Sequence, residues 1–171
     1  MTESLVEFFL NIFGGITGSE LGKCVTIFIV SMLPIIELRG GMIAAALLKV
    51  SLVKGFIICF IGNLLPVPFI IWFIRKILDW MRNIKCFEKF VKWLDKKVEN
   101  KKGKIEKFGF WGLVAFVGIP LPGTGAWTGS LIAAMLDMDK KKAFLAATIG
   151  VVMAGIIMAL FSYGLLDTII N

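Results

Sequence analysis

The sequence is poor in the side chains that carry most enzymatic chemistry. It has no histidine and one tyrosine, and its three cysteines are scattered at Cys24, Cys59 and Cys86. An odd, unclustered set of cysteines predicts neither a disulfide framework nor a metal site. Because histidine is absent, proton transfer near neutral pH would depend on a carboxylate in an unusual environment. We therefore expect no enzymatic activity, no cofactor and no bound metal.

Charge is also scarce for a chain of this length. The 171 residues include 19 lysines and arginines and 12 acidic residues, whereas 58% are hydrophobic and the mean hydropathy is +0.88. Soluble domains are usually about 45–50% apolar. So few charges could not cover that much apolar surface in water. The composition therefore indicates an integral membrane protein that forms a single membrane domain over 1–171.

The sequence repeats itself at a spacing of 88 residues. Residues 34–67 align with residues 122–155 without a gap, and nine of the 34 pairs are identical. Each copy begins with a short apolar stretch that ends at a break rich in proline or glycine. A second short apolar stretch, a polar turn and a long apolar run then follow in that order. The long runs, 55–74 and 143–165, can cross a hydrocarbon core of about 30 Å. Each short stretch reaches roughly half-way at about 1.5 Å per residue.

Two short stretches joined by a break predict a re-entrant hairpin, which enters and leaves the membrane on the same side. The alternative is that 24–48 and 108–136 are single kinked spans. The basic residues favour the hairpins, because that arrangement places 15 lysines and arginines on one side and three on the other, and cytoplasmic loops are enriched in basic residues. The two hairpins would then open to opposite faces, which is the inverted repeat of many secondary transporters.

We therefore predict an all-α integral membrane protein with two inverted repeats, each a re-entrant helical hairpin followed by a transmembrane helix. Repeat 1 covers about 20–75 and repeat 2 about 108–165. The linker, 76–107, is strongly basic, and its apolar residues recur at spacings of three and four, which predicts an amphipathic cytoplasmic helix on anionic lipid headgroups. Such a helix could instead pack on the protein itself, and we expect no nucleic-acid partner. The apolar stripe consists of Ile77, Trp80, Ile84, Phe87, Val91, Leu94 and Val98.

Glu37 and Arg39 are the leading candidates for substrate and proton binding, because they are charges in an otherwise apolar hairpin. Ionisable residues inside a membrane mark functional sites by default. At positions i and i+2 of a helix the two side chains would not face each other, so each is expected to meet a different group. The alternative is a structural ion pair that locks the two hairpins together.

The second break has no charged side chain, so its candidate contacts are backbone groups and the hydroxyls of Thr124 and Thr128. A half-helix beginning near Thr128 would also aim the positive end of its dipole at the membrane centre. In the first long run, Asn63 is either a cavity-lining amide or a structural hydrogen-bonding group, and Pro66 and Pro68 should kink the helix. The second break could equally be a tight turn where two hairpins touch. The residues expected to contribute backbone at the two hairpin tips are Pro34, Gly40, Gly41, Pro120, Pro122, Gly123, Gly125, Trp127 and Gly129.

Three segments resemble the signature segments of the small multi-drug export protein family: LPIIELRGG (33–41), GNLLPVPF (62–69) and PLPGTGAWTGSLIAA (120–134). The resemblance covers about residues 30–160. More distantly, the layout is similar to the DedA superfamily, whose paired re-entrant hairpins are associated with lipid movement or proton coupling. The chain lacks the arginines that DedA proteins carry around the second hairpin. The positions that the resemblance marks are Glu37, Arg39, Gly40, Asn63, Pro66, Pro68, Pro120, Pro122, Gly123, Thr124, Gly125, Trp127 and Gly129.

These features predict a small proton-coupled membrane transporter that moves an amphiphilic or lipid-like substrate through a midplane site between the two tips. Glu37 would carry the proton, and Arg39 would hold an anionic group. The alternatives are an exporter of hydrophobic cations with Glu37 as counter-ion, and a non-transporting membrane scaffold that acts through the basic helix. We expect a prokaryotic-type plasma (inner) membrane location with the basic loops in the cytoplasm, and the chain could form a homo-oligomer.

Overall fold

The structure, a computed structural model, describes residues 18–82, 92, 96, 109–121 and 123–170. Within these ranges the chain forms seven helices and no strand, which confirms the predicted all-α class. In chain order the helices are α1 (Glu20–Met32), α2 (Glu37–Leu47), α3 (Leu52–Leu64), α4 (Pro66–Arg82), α5 (Gly109–Gly118), α6 (Ala126–Met135) and α7 (Lys140–Ile170).

Two helical stretches are long and apolar enough to cross a membrane. They are Leu52–Ile74, which runs through α3 into α4, and Lys140–Gly164 within α7. The helices α3 and α4 meet at Leu65, because the proline at position 66 has no N–H to continue the hydrogen bonding of α3. Many large apolar side chains stay exposed on these stretches, as in a protein whose outer surface faces lipid.

Helix boundaries recur at the spacing of 88 residues that the sequence repeat has. The second short helix of each half ends at Leu47 or Met135, and the long helix begins at Leu52 or Lys140. The turns between them share their backbone conformation, because Lys49 has φ +55° and its counterpart Asp137 has φ +58°. The backbone hydrogen bonds of the two turns also match, from Val50 N to Ala45 O at 2.9 Å and from Met138 N to Ala133 O at 3.0 Å.

Matched glycines allow the helices of each half to approach closely. A Cβ on Gly62 of α3 would lie 2.8 Å from the Phe28 carbonyl oxygen of α1, and a Cβ on Gly150 of α7 would lie 3.0 Å from the Val114 carbonyl oxygen of α5. Cβ atoms do not normally come that close to backbone oxygens. These glycines therefore serve packing between helices, and α1 packs on α2 and α3 in the same half.

Two side-chain contacts fix which helix ends lie together. Lys54 Nζ at the start of α3 lies 3.0 Å from Glu20 Oε2 at the start of α1, and Lys54 and Lys23 hold the pKa of Glu20 below its usual value. Near the other end of α7, the Tyr163 hydroxyl donates to the Val50 carbonyl oxygen at 2.8 Å. The start of α1, the α2–α3 turn and the Tyr163 end of α7 therefore lie together. At about 1.5 Å per residue, the start of α7 is roughly 35 Å away.

The helix α4 continues past the apolar run into the basic linker and ends at Arg82. On this extension Ile77 and Trp80, the first two residues of the predicted stripe, are exposed, whereas Leu78 is buried. The remaining stripe residues lie outside the described part of the chain. The amphipathic helix on the membrane surface therefore stays a prediction.

Candidate functional site

Glu37 is the first residue of α2, directly after the turn that follows α1, and its backbone conformation is strained. Its amide N–H donates to the Leu33 carbonyl oxygen at 2.9 Å, which closes a turn over 33–37. Its φ of +53° is in the left-handed region, which residues with a side chain rarely adopt. Such strain costs on the order of 1–3 kcal/mol and is concentrated at binding and switch sites.

The Glu37 carboxylate reaches across to the second half of the chain, to the beginning of α6. Oε2 accepts from the Ala126 N–H at 3.2 Å, and Oε1 accepts from the Trp127 N–H at 3.1 Å. The first N–H groups of a helix have no partner within the helix and favour a negative charge. The side chain is only 5% exposed, so these two N–H groups replace water as its hydrogen-bonding partners.

Gly125, directly before α6, leaves the space that the carboxylate fills. A Cβ at this position would collide with Glu37 Oε2 and would lie 2.6 Å from its Cδ. The φ of Gly125 is +132°, which also excludes most side chains. Glycine is thus required here both by the backbone and by the contact with Glu37.

Arg39 binds the backbone carbonyls of the second break. Its Nη1 donates to Leu121 O at 2.5 Å, and its Nη2 donates to Thr124 O at 3.1 Å, to Thr124 Oγ1 at 2.8 Å and, at 3.4 Å, to Ile119 O. The planar guanidinium has five donors in a fixed fork and suits such a set of acceptors. The Thr124 hydroxyl itself lies 2.9 Å from Ile119 O and 2.8 Å from Leu121 O, and so helps to hold these carbonyls in place.

A third contact runs in the opposite direction, from the second half to the first. The indole Nε1 of Trp127 donates to the carbonyl oxygen of Met32, the last residue of α1, at 3.1 Å. We call the contacts of Glu37, Arg39 and Trp127 across the two breaks, 33–39 and 119–127, the tip interface.

Glu37 and Arg39 do not pair with each other: the ion pairs between described residues do not include them. Each instead binds the backbone of the second break, as their spacing on a helix indicated. A lock made of a direct Glu37–Arg39 ion pair is therefore wrong for this structure. The two side chains do connect the two halves of the chain, but through separate partners.

Other predicted site residues take different positions. Among the described residues, no hydrogen bond links Asn63 or Thr128 to Glu37 or Arg39. Asn63 is buried, and its Oδ1 has no partner in the described part of the chain. The half-helix starts at Ala126, two residues before the predicted start at Thr128.

Gly125 and Trp127 lie at the tip interface, and the other described residues predicted to form the tips fall into two groups. Pro34 and Gly123 are exposed in the breaks, and Pro120 is partly buried between two carbonyls that bind Arg39. The residues of the second group pack inside the protein. In that group a Cβ on Gly41 would collide with the Ser31 side chain, and a Cβ on Gly129 would lie 2.6 Å from Val117 Cγ2. Gly40 is also buried. Pro122 lies outside the described residues.

The acceptors at Met32, Ile119 and Leu121 and the donor at Ala126 were not among the predicted site residues. All four act through backbone atoms, which every residue has, so the residue type carries no direct sign of the role. The available signal was the position of these residues beside the prolines and glycines of the two breaks.

The arrangement holds one anion and one cation in an apolar bundle, each bound by the opposite half of the chain. A proton on Glu37 would remove the negative charge that the α6 N–H groups stabilise. Within the described residues no group of acidic, cysteine or histidine side chains could hold a metal ion.

Two membrane-length apolar stretches and a buried carboxylate held between two helix breaks define a helical membrane protein with a polar site in its interior. The chain belongs to the small multi-drug export protein family, whose family model matches residues 37–157 and so includes Glu37, Arg39 and the second break. The resemblance noted in the sequence is thereby confirmed, and the family's name indicates a membrane exporter, a transporter rather than an enzyme. Searches of the curated proteins and of the solved structures gave no match. The similarity to the DedA superfamily stays a prediction.

Proposed function

We propose that the chain is a proton-coupled membrane exporter, in which Glu37 binds and releases the coupled proton at a site between the two breaks. One observation carries the proposal: the Glu37 carboxylate is 5% exposed and is held by two backbone N–H groups of the opposite half. A charged group in the centre of a membrane costs at least about 2.5–3.5 kcal/mol on insertion scales, so its presence calls for a role.

The topology that we propose consists of two re-entrant hairpins in inverted orientation. The contact of Lys54 with Glu20 supports a hairpin in the first half, because a single span through 24–48 would place these two residues on opposite faces. The contact of Tyr163 with Val50 supports the inversion, because it leaves the start of α7 on the face opposite to the α2–α3 turn. Irregular backbone at membrane depth is tolerated where it is buried in protein or lines a cavity, and the two breaks would meet that condition.

Protonation of Glu37 would change the strength of the tip interface. Hydrogen bonds to a charged group are worth about 1.5–3 kcal/mol each, against about 0.5–1.5 kcal/mol for neutral ones. The charged group that acts on Glu37 through space is Arg39 on its own helix. The described residues of the packed helices α1, α3 and α7 and of the second break bring no other charged side chain to it. Burial of the charge away from water opposes it more strongly than these hydrogen bonds favour it. A proton on Glu37 would therefore favour the closed contact between the breaks, and proton release would favour their separation.

The substrate that we propose is amphiphilic, with an apolar body and a polar group that enters the midplane site. Once the breaks separate, Arg39 and the α6 N–H groups can bind an anionic group. An alternative is the export of hydrophobic cations, a multidrug type of transport. In that case Glu37 would be the counter-ion of the substrate.

We place the protein in a prokaryotic-type plasma membrane, with the 76–107 and 137–142 loops in the cytoplasm, since these carry most of the lysines and arginines. The exposed Trp80 on the α4 extension is compatible with a helix that lies on anionic lipid headgroups. A scaffold acting through this helix without transport is the alternative that the next experiment addresses.

Purified protein in liposomes, under an imposed pH gradient, would be tested with a panel of lipophilic cations and of lipid phosphates. The wild type should move at least one of these classes at a rate that depends on the gradient, and Glu37→Gln should insert and fold but lose that dependence. Glu20→Gln is the matched control, because Glu20 is an exposed carboxylate at the start of α1. Unchanged gradient-dependent transport in Glu37→Gln would contradict the proton role, and no transport by the wild type would favour the scaffold.

A further inference from the structure

Arg39 and Trp127 are counterparts in the two halves of the chain, because they are separated by the repeat spacing of 88 residues. Arg39 donates to the carbonyls of Ile119 and Leu121, which follow the first helix of the second half. Trp127 donates to the carbonyl of Met32, which ends the first helix of the first half. The two side chains are chemically different, yet each donates a hydrogen bond to a backbone carbonyl of the other half.

These contacts supply hydrogen-bond donors to backbone carbonyls that lie close to helix ends. The carbonyl of Met32, which ends α1, has no partner within its own helix, and an unpaired carbonyl is costly where no water is available. Its donor comes from the opposite half of the chain, and so does the donor to the Thr124 carbonyl of the second break. The carbonyls of Ile119 and Leu121 also accept from N–H groups of their own break. Parting the two breaks would thus leave the Met32 and Thr124 carbonyls without these donors, unless water or a ligand replaced them.

We infer that Arg39 and Trp127 form a two-sided gate over Glu37, which is closed in this structure and opens when the two breaks separate. Glu37 lies between them, because its own partners are the N–H groups of Ala126 and Trp127. The backbone beside the gate is irregular, with positive φ at Glu37, Gly123 and Gly125, as is common where a segment changes conformation. The gate rests on the proposed function for its purpose, but its test needs no substrate.

Trp127→Phe tests the gate, because it removes the indole N–H and keeps an aromatic ring. The reporter is the labelling rate of Ala126→Cys by a small thiol reagent, in a chain whose three native cysteines are replaced by alanine. Ala133→Cys is the matched control, since both alanines are fully buried on α6. Loss of one hydrogen bond should raise the rate at position 126 roughly two- to tenfold, if the open form is the one that reacts.

The rate at position 133 should stay unchanged in the same variant. Equal increases at both positions would mean that Trp127 supports the whole fold, and unchanged rates at both would mean that its contact restrains nothing; either result overturns the gate. Thr124→Val provides a second variant, because it removes the hydroxyl that accepts from Arg39 and that also contacts the Ile119 and Leu121 carbonyls. It should raise labelling at position 126 in the same selective way. If both variants labelled like the parent chain, the inference would be wrong whether or not the protein transports anything.

Discussion

The carboxylate of Glu37 occupies the space in which a Cβ of Gly125 would lie. These two residues are counterparts, 88 positions apart in the two halves, so the repeat pairs a charged residue with a glycine at the centre of the tip interface. One half supplies the charge, and the other supplies the cavity for it. The backbone of both residues has positive φ, +53° at Glu37 and +132° at Gly125.

Gly125→Ala should destabilise the protein by about 1–3 kcal/mol, because the added methyl group meets Glu37 and the backbone conformation disfavours any side chain. Thermal unfolding in detergent would measure the loss. Gly18→Ala is the control, since a Cβ there meets nothing within 4 Å. Equal stability of Gly125→Ala and Gly18→Ala would show that the carboxylate does not lie against position 125.

The double variant Glu37→Gln with Arg39→Met should be less stable than either single variant. Glu37 accepts from N–H groups, and Arg39 donates to carbonyls, so the two losses involve different partners. Losses that involve separate partners accumulate, apart from the coupling that neighbouring residues show. Thermal stability and transport would be measured for the parent and all three variants. If the double variant recovered both the thermal stability and the transport of the parent, the two charges would instead act as a pair.

Much of the fold follows from the sequence because it depends on side-chain type. The breaks, the short helices and the long apolar stretches were predictable from prolines, glycines and apolar runs, and the repeat aligned Leu52 with Lys140 as helix starts. The tip interface could not be derived in the same way. Glu37 and Arg39 were identifiable as charges in an apolar segment, but their partners at Ala126, Trp127 and Leu121 are backbone groups.

Asn63 shows that a polar residue in an apolar segment can be taken for a site residue without contacting the site. As an amide in an apolar helix it resembled a residue of the site, and it is indeed buried. No hydrogen bond in the described part of the chain links it to Glu37 or Arg39, and its Oδ1 has no partner there. Polarity within an apolar run thus indicates burial, but not which helix the side chain faces.

The inverted topology predicts that Ser51→Cys and Lys141→Cys are labelled from opposite faces of the membrane. Both positions are exposed, one in the α2–α3 turn and one in the first turn of α7. Single cysteines would be introduced into the chain without native cysteines, and an impermeant thiol reagent would be added to oriented vesicles. Labelling of both positions from the same face would contradict the inverted repeat.

Polar replacement of Phe87 and Leu94 should release the basic linker from anionic bilayers and leave the long helices inserted. The predicted stripe would lose apolar area at about 25 cal/mol per Å². A spin label at position 80, where the native tryptophan is 63% exposed, would report depth in the headgroup region before and after the replacements. An unchanged depth would indicate that the segment packs on the protein instead.

A proton on Glu37 should favour the closed tip interface, and the pH dependence of Ala126→Cys labelling tests this most directly. The rate at each pH would be divided by the rate in the Glu37→Gln background, which cancels the intrinsic pH dependence of the thiol reaction. Because burial disfavours the carboxylate more than the α6 N–H groups stabilise it, the closed form favours the neutral carboxyl, and this ratio should fall as the pH falls. A ratio that stays constant across the pH range would contradict the claim.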